Sequence, residues 1–437
     1  MTSMKNKGFF FALFLTLLLT TAVWAQPSPP TATSAMTGRI AYAGLDANGK
    51  AISIRAINPD GSQPETLYTL QGAGEISDVA WHPNGSEIAF LSSEEAAYSL
   101  FFQDVFAVNI LSKQVRRISN PPRFTGLPGS YATGKVRGTL RNNAGVNNIS
   151  IISLYVQGAT SGVQIPLFNI LDQVPFEVDV ADLGPGVQQY IFISWSHTSG
   201  GPYKEIVATP IDVQAGQTVD VGLIDFVGTT SQPKLSDLSW NGDGSLAGVL
   251  LENGATVPWG FTGTGQTFGS SLGDVGFIST VALSPAGNLM AYYKVTGAEG
   301  KIALNNVGGT SATEQIILND TTASLNYDRH IAWLPDGSGL VITVNGEIYD
   351  YILATAQVRQ LTNFGGGAQV DRVTASPDGR YVAFSYSPNL GQSDIYILDR
   401  QALTITPLTT DGRSAFPSWS RGDVAVTQTV FLPMVIR

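Results

Sequence analysis

The chain has no cysteine, three histidines and few charges of either sign. Without cysteine it can build no disulfide framework, zinc finger, iron–sulfur site or thiol nucleophile. The histidines, His82, His197 and His330, lie too far apart in sequence to form a local metal cluster. Charged residues make up 13% of the 437, about half the usual ~25%. Their balance is acidic, with 34 Asp and Glu against 24 Lys and Arg. A net charge of −10 offers no basic face for phosphates, which excludes a nucleic-acid binder. Long hydrophobic runs are missing too, since the apolar run at 9–19 is too short to cross ~30 Å of hydrocarbon. What the chain does have is 47 glycines and 43% hydrophobic residues, the composition of neither a disordered segment nor a coiled coil. Its length exceeds one average domain, so more than one core, or one large repetitive core, is expected.

The N-terminus reads as an address. Lys5 and Lys7 precede the apolar run, and Val23 and Ala25 supply the small residues of a cleavage site. That order of segments is a secretory signal peptide over 1–25, so a secreted or extracytoplasmic protein is expected, with no membrane span after cleavage. Removing Lys5 and Lys7 with the leader leaves 22 cationic residues against 34 acidic, net −12. Residues 26–37 follow as a Pro-rich linker, which favours extended polyproline II. Secretion without cysteine suggests a bacterial product stabilised by packing alone, in the periplasm or at the cell surface.

An internal repeat organises the rest. Trp81-His-Pro-Asn-Gly85, Trp240-Asn-Gly-Asp-Gly244, Leu283-Ser-Pro-Ala-Gly287, Trp333-Leu-Pro-Asp-Gly337 and Ala375-Ser-Pro-Asp-Gly379 share one pattern, with a degenerate sixth copy at Trp419-Ser-Arg-Gly422. Their glycines lie 159, 43, 50, 42 and 43 residues apart. Proline fixes φ early in each turn, and Asp-Gly or Asn-Gly supplies the positive-φ positions of a tight hairpin. Strand-like runs follow each turn, as at 88–91, 289–292, 340–343 and 381–384, then 347–352 and 394–398, then 114–118, 357–361 and 405–408. Four short antiparallel strands in each period of 40–50 residues describe a propeller blade. The motif Trp/Ala-Ser-Pro-Asp-Gly, an apolar strand, Asp394-Ile-Tyr-Ile-Leu398 and Leu408-Thr resembles the TolB-like propeller repeat, also called PD40 or WD40-like. The resemblance covers 38–120 and 234–425 and is closest over 375–410.

Two further patterns set the architecture. The N-terminal runs 39–42, 51–55 and 65–68 look like strands two to four of a blade that lacks its first, and Trp419 ends a first strand that lacks the rest. Pairing the two ends would close a six-bladed ring and leave no exposed sheet edge there. The long spacing hides a guest of about 100 residues at 121–233, with strand-like runs at 134–138, 149–156, 176–180, 190–194, 206–211 and 218–221. Its order of Gly-x-Val-x-Gly, Phe176-Glu-Val-Asp-Val180 and Gly216-Gln-Thr-Val-Asp-Val221 resembles a carboxypeptidase-regulatory-like, or transthyretin-like, β-sandwich. The expected fold is therefore all-β: a six-bladed β-propeller over 38–120 and 234–429, an inserted small β-sandwich, and an apolar tail at 430–437.

Chemistry is sparse. Gly269-Ser-Ser-Leu-Gly273 matches a nucleophile-elbow pattern but sits in a loop before an inner strand, without the helix such an elbow needs. Propellers of the TolB-like class also occur fused to a peptidase domain, for which this chain has no room after its last blade. Asp46-Ala-Asn-Gly49 lacks the further oxygens of a calcium loop and reads as a hairpin turn. The best candidate is a place rather than a motif. Three residues before each motif stand Asp78, Asp237, Thr280, His330, Arg372 and Phe416, one per blade at the mouth of the channel. With the adjoining loop residues Tyr327, Asp328, Arg329, Asp371 and Arg413 they mix hot-spot types with orienting charge. Two readings remain open here: a partner-binding mouth, or inter-blade salt bridges that plug the channel. The sequence as a whole points to a non-catalytic binding module for a protein or cell-envelope polymer, with no cofactor and no metal. A hydrolase or lyase acting on glycans or peptides, and a structural surface component, are the alternatives.

Overall fold

The computed structural model describes residues 36–422, apart from 97–98, 100, 120–131, 147–148, 160–161, 167–168, 241, 243, 253–254, 262–277, 297–298, 321–329, 366–368 and 390–391. The leader, most of the linker, the tail 430–437, the pattern at 269–273 and the loop residues Tyr327, Asp328 and Arg329 lie outside the described residues. Among those described there is no α-helix, and no helix is long and apolar enough to cross a membrane.

Among the described residues the strands form eight sheets, and six of them are blades. Blade 1 runs through Ile76–Trp81, Glu87–Ser92, Asp104–Asn109 and Val115–Arg117. Blade 2 has Lys234–Trp240, Leu246–Glu252 and Ala255–Phe261. Blade 3 spans Ile278–Leu283 to Gln315–Asp320, blade 4 Ile331–Trp333 to Gln357–Gln360, and blade 5 Gln369–Ala375 to Thr404–Pro407. Blade 6 joins the two ends of the chain, since the inner strand Ser414–Trp419 pairs antiparallel with Ile40–Leu45, followed by Ala51–Ile57 and Glu65–Thr69. Inner strands of successive blades touch in one closed cycle, so this is a six-bladed propeller.

The repeat explains the blades residue by residue. In each proline-containing turn a backbone bond closes on the glycine, from Gly85 to His82, Gly287 to Ser284, Gly337 to Leu334 and Gly379 to Ser376. These glycines have φ between +68° and +75°, a conformation that costs a Cβ-bearing residue strain. Asn84, Asp336 and Asp378 each accept a backbone N–H two residues on, which locks the turn. The tryptophans lie between blades: Trp240 Nε1 donates to Ala80 O at 3.0 Å and Trp333 Nε1 to Ala282 O at 2.9 Å, each reaching the preceding blade.

Between blades 1 and 2 stand two facing sheets. One orders Gln173–Ala181, Thr133–Asn142 and Thr218–Phe226, and the other Val163–Ile165, Ile149–Val156, Ile191–His197 and Gly200–Ile206. Val136, Leu140, Leu154, Ile193, Trp195 and Phe226 fill the space between them. Two expectations shift. The run at 206–211 is not a strand; the strand lies earlier, at Gly200–Ile206, despite the Gly-Gly-Pro that reads as a turn. Val163–Ile165 pairs with Ile149–Val156 although three residues give no pattern of their own.

Connectivity fixes where this sandwich stands. Each inner strand runs from its ring residue towards its proline turn, so the links between second and third strands and between blades emerge at the opposite end. The insertion replaces one link between blades. It therefore stands on the same face as the ring residues.

Candidate functional site

Why the ring residues point at the axis is written in the ladders. The inner strands of blades 1, 2, 3, 5 and 6 each carry a register shift at or beside the ring position, between Ile76 and Asp78, Ser236 and Leu238, Ile278 and Thr280, Asp371 and Val373, and opposite Ala41 and Ala43. An extra residue in one strand re-aims a side chain and ends regular pairing. At three of these positions the backbone is left-handed: Asp237 at φ +57°, Arg372 at +46° and Phe416 at +55°. Such conformations in non-glycine residues cost of order 1–3 kcal/mol, and they recur where a side chain is held for a purpose.

The side chains so aimed meet one another. Arg372 Nη1 lies 2.6 Å from Asp237 Oδ1 and 3.4 Å from Asp78 Oδ2, and its Cζ sits 5.7 Å above the Phe416 ring. Asp237 Oδ2 accepts from Thr280 Oγ1 at 2.6 Å and from Val281 N at 2.7 Å. Asp78 accepts from Val79 N at 2.8 Å and Leu238 N at 2.6 Å. His330 Nδ1 accepts from Val373 N at 3.3 Å, which leaves Nε2 facing Asp237 Oδ1 at 3.6 Å. Six blades thus contribute to one buried, mutually satisfied cluster. Asp78, Asp237 and Thr280 are 1%, 3% and 1% exposed, so they face their neighbours rather than solvent.

The electrostatics follow from that burial. It pushes the Asp78 carboxyl up to about 7, against the pull of Arg372. His330 is pushed down to about 4 by burial and by the Arg372 charge, so it is a neutral imidazole at neutral pH. Burial alone would lower the Arg372 guanidinium, but Asp78, Asp237 and Asp371 hold it raised. A carboxylate with two N–H donors and a guanidinium between two carboxylates is a stable arrangement. Among the described ring residues, Asp78, Asp237, His330 and Arg372 each have a partner within the cluster.

Behind the cluster the axis is narrow. A cavity of about 100 Å³ runs past Ala80, Ser239, Ala332 and Thr374 to Trp81, Trp419 and Arg421, with room for a few water molecules. The small residues do more than fit: Ser418 Oγ accepts from Trp81 N at 2.8 Å, Thr374 Oγ1 from Trp419 N at 3.0 Å, and Ser239 Oγ from Leu283 N at 3.3 Å. Each hydroxyl satisfies the bare N–H of the next blade's inner strand, which has no further strand to pair with. Smallness at these positions was legible in sequence; this role was not.

The remaining candidates separate. Arg413 and Asp411 are exposed, with Arg413 N bonded to Asp411 Oδ1 at 3.0 Å, while Asp411 also faces Arg55 at 3.5 Å. Asp371 is half-buried beside Arg372. The other histidines sit elsewhere: His82 packs edge-on to Trp240 and accepts from Asn84 N, and His197 accepts from Ser199 N. Among the described residues no group of three or more His, Asp or Glu side chains could hold a metal ion. Asp46 Oδ1 accepts from Asn48 N and Lys50 N, which makes its loop a hairpin turn.

No family model matches the chain, and no curated protein matches it. Among solved structures it is similar to TolB from Acinetobacter baumannii, at 14% identity and TM-score 0.34, over 88% of this chain and 66% of that one. The chain thus spans slightly less than two thirds of that TolB chain. A chain in a nidogen/laminin complex is 9% identical with TM-score 0.42, over 87% and 98%. A puromycin-hydrolyzing peptidase of Mycobacterium tuberculosis is 11% identical with TM-score 0.38, over 81% and 49%. At these TM-scores none of the likenesses carries an activity or a partner to this chain, whose propeller stands on its own strand pairing.

Proposed function

We propose that the chain is a secreted, non-catalytic propeller of TolB-like type that binds a protein or a cell-envelope polymer on the face bearing its ring residues. One observation carries the reading. The axial groups that would be an enzyme's acid, base or ligand are spent on one another, and the channel behind them holds only a few waters. What stays open to a partner on that face is the rim of exposed loop residues, Arg413 and Asp411 among them, with the sandwich beside it. The plug holds the blades in register and the rim makes the contact. A rim of arginine and carboxylate governs the association rate and the salt dependence of binding more than raw affinity.

The test uses the immobilised full chain and an envelope extract. Wild type captures a partner that the double charge reversal Arg413→Glu, Asp411→Lys captures at least fivefold more slowly, with an unchanged melting temperature. Equal capture by both proteins would remove the rim from the account. Turnover of a glycan or peptide by the wild type would remove the non-catalytic reading.

A further inference from the structure

The axial cavity has two unlike ends. At the ring end the charged groups hold one another. At the proline-turn end stands Arg421, in the degenerate turn of blade 6, and its Nη2 donates to Trp240 O of blade 2 at 3.4 Å. Blade 1 separates those two blades, so the side chain passes over the channel to reach its acceptor. Among the described residues this is the one hydrogen bond of its guanidinium, and no described carboxylate pairs with it. Burial therefore lowers its pKa with nothing to answer it, whereas three carboxylates answer the burial of Arg372. Its other N–H groups are not sealed inside the protein, since Arg421 is half-buried and lines the cavity.

The walls beside it add donors. Ser239, Thr374 and Ser418 are partly exposed and line the same cavity. Each Oγ accepts a backbone N–H of the next blade, and none donates its own O–H to a described residue. A hydroxyl carries a donor besides its acceptor lone pairs, so three O–H groups stay unspent. Ser239 precedes Trp240, whose carbonyl holds Arg421, which sets the hydroxyls about one strand residue, ~3.3 Å, below the guanidinium. The ring carboxyl that lines this cavity, Asp78, lies two residues further along, roughly 7 Å, against Arg372. Waters can satisfy the hydroxyls but not the charge, and a half-buried cation without a counter-ion is the costly element here.

We propose that the proline-turn end of the axis binds a small monocarboxylate, held by the Arg421 guanidinium and the hydroxyls of Ser239, Thr374 and Ser418. A planar carboxylate matches the guanidinium fork, and its single charge balances the single unspent cation. A dianion brings a charge that these walls leave unbalanced. The cavity of about 100 Å³ admits roughly four to six heavy atoms in place of its few waters. This end lies opposite the proposed partner face, so the two readings stand or fall separately.

Saturation-transfer NMR on the full chain, with acetate as the probe at fixed ionic strength, tests this. The methyl signal is expected to saturate with a millimolar Kd, the range open to so small a ligand. Arg421→Gln keeps a hydrogen-bonding side chain and removes the charge, and should weaken binding at least about tenfold. Thr374→Val should weaken it about three- to tenfold, the loss of one hydroxyl donor. Melting curves show that each variant is folded. Sulfate, a dianion of similar size, should displace acetate at least about fivefold more weakly than formate does. A signal that rises linearly with acetate, or is unchanged in Arg421→Gln, would overturn the site. Equal binding by Thr374→Val would remove the hydroxyls from it, and displacement by sulfate as strong as by formate would overturn the monocarboxylate class.

Discussion

Arg372 is the residue on which the axis turns. Its backbone is strained into the left-handed region, and its guanidinium is buried against two carboxylates from blades 1 and 2, far away in sequence. Removing one partner of a buried pair leaves the other charge uncompensated, a cost of about 3–5 kcal/mol. Asp237→Asn is therefore expected to lower the unfolding free energy in a denaturant titration, by about 1–3 kcal/mol rather than the full amount because Asp78 still faces the guanidinium at 3.4 Å. Adding Arg372→Met to it should recover part of the loss, because the cation that has lost its nearest carboxylate goes too. A loss below about 1 kcal/mol in the single variant would mean the cluster is not an energetic unit.

His330 adds a pH signature. Its folded pKa, about 4, lies below the ordinary 6.5, so the unfolded chain takes up the proton first as pH falls. Stability tied to this residue is intact above pH 6.5 and is lost between there and about 4, by on the order of 3 kcal/mol. Asp78 titrates in the opposite sense, since its raised pKa favours the folded state as pH falls below about 7. The two nearly cancel in the wild type, so the comparison with His330→Asn isolates the histidine. The variant should gain stability from pH 6.5 to 4 while wild type stays nearly level; parallel curves would contradict a buried neutral imidazole.

At the scale of elements, the inner strands show how a propeller satisfies its bare edges. Ser418 spans two blades by accepting from Trp81 N, and Ser418→Ala leaves that N–H without a partner. The expected cost is about 1–2 kcal/mol in melting experiments, with the fold retained. No change would assign the N–H another partner, such as water in the channel.

The repeat made much of this scale legible. Proline fixed the turns, Asp-Gly or Asn-Gly fixed the hairpins, and the strands at 87–92, 347–352 and 404–407 fall where the period places them. The ring positions were legible too, because one residue per period stands at a constant offset from the motif. Their mutual pairing was not, because a register shift changes where a side chain aims without leaving a pattern in sequence. In the sandwich the signal was weaker. Gly200–Ile206 begins with Gly-Gly-Pro yet pairs as a strand because its neighbour Ile191–His197 supplies the ladder. Lys204 gave no signal at all, since its meaning depends on a segment about a hundred residues away.

At the scale of the whole molecule, closure and insertion act together. Joining Ser414–Trp419 to Ile40–Leu45 ties the two ends of the propeller into one sheet, and the plug ties its blades across the axis. The guest is tied to blade 1 through Lys204, on the ring face. Low charge and high glycine follow from this build. Blade faces pack on their neighbours and leave little solvated surface, while each hairpin needs a residue tolerant of positive φ. The two ends of the cylinder are chemically unlike. One carries charged loops and the sandwich; the other carries the proline turns, repeated nearly unchanged.

That asymmetry gives the most direct test of the proposed binding face. The full chain, bound to a partner captured from envelope extract, is cross-linked and its contact peptides are mapped. The account predicts cross-links at 93–96 and 411–416 and on the sandwich, with the proline turns at 82–86, 284–288, 334–338 and 376–380 free of them. Cross-links concentrated on the proline turns would place the partner on the opposite end and contradict it.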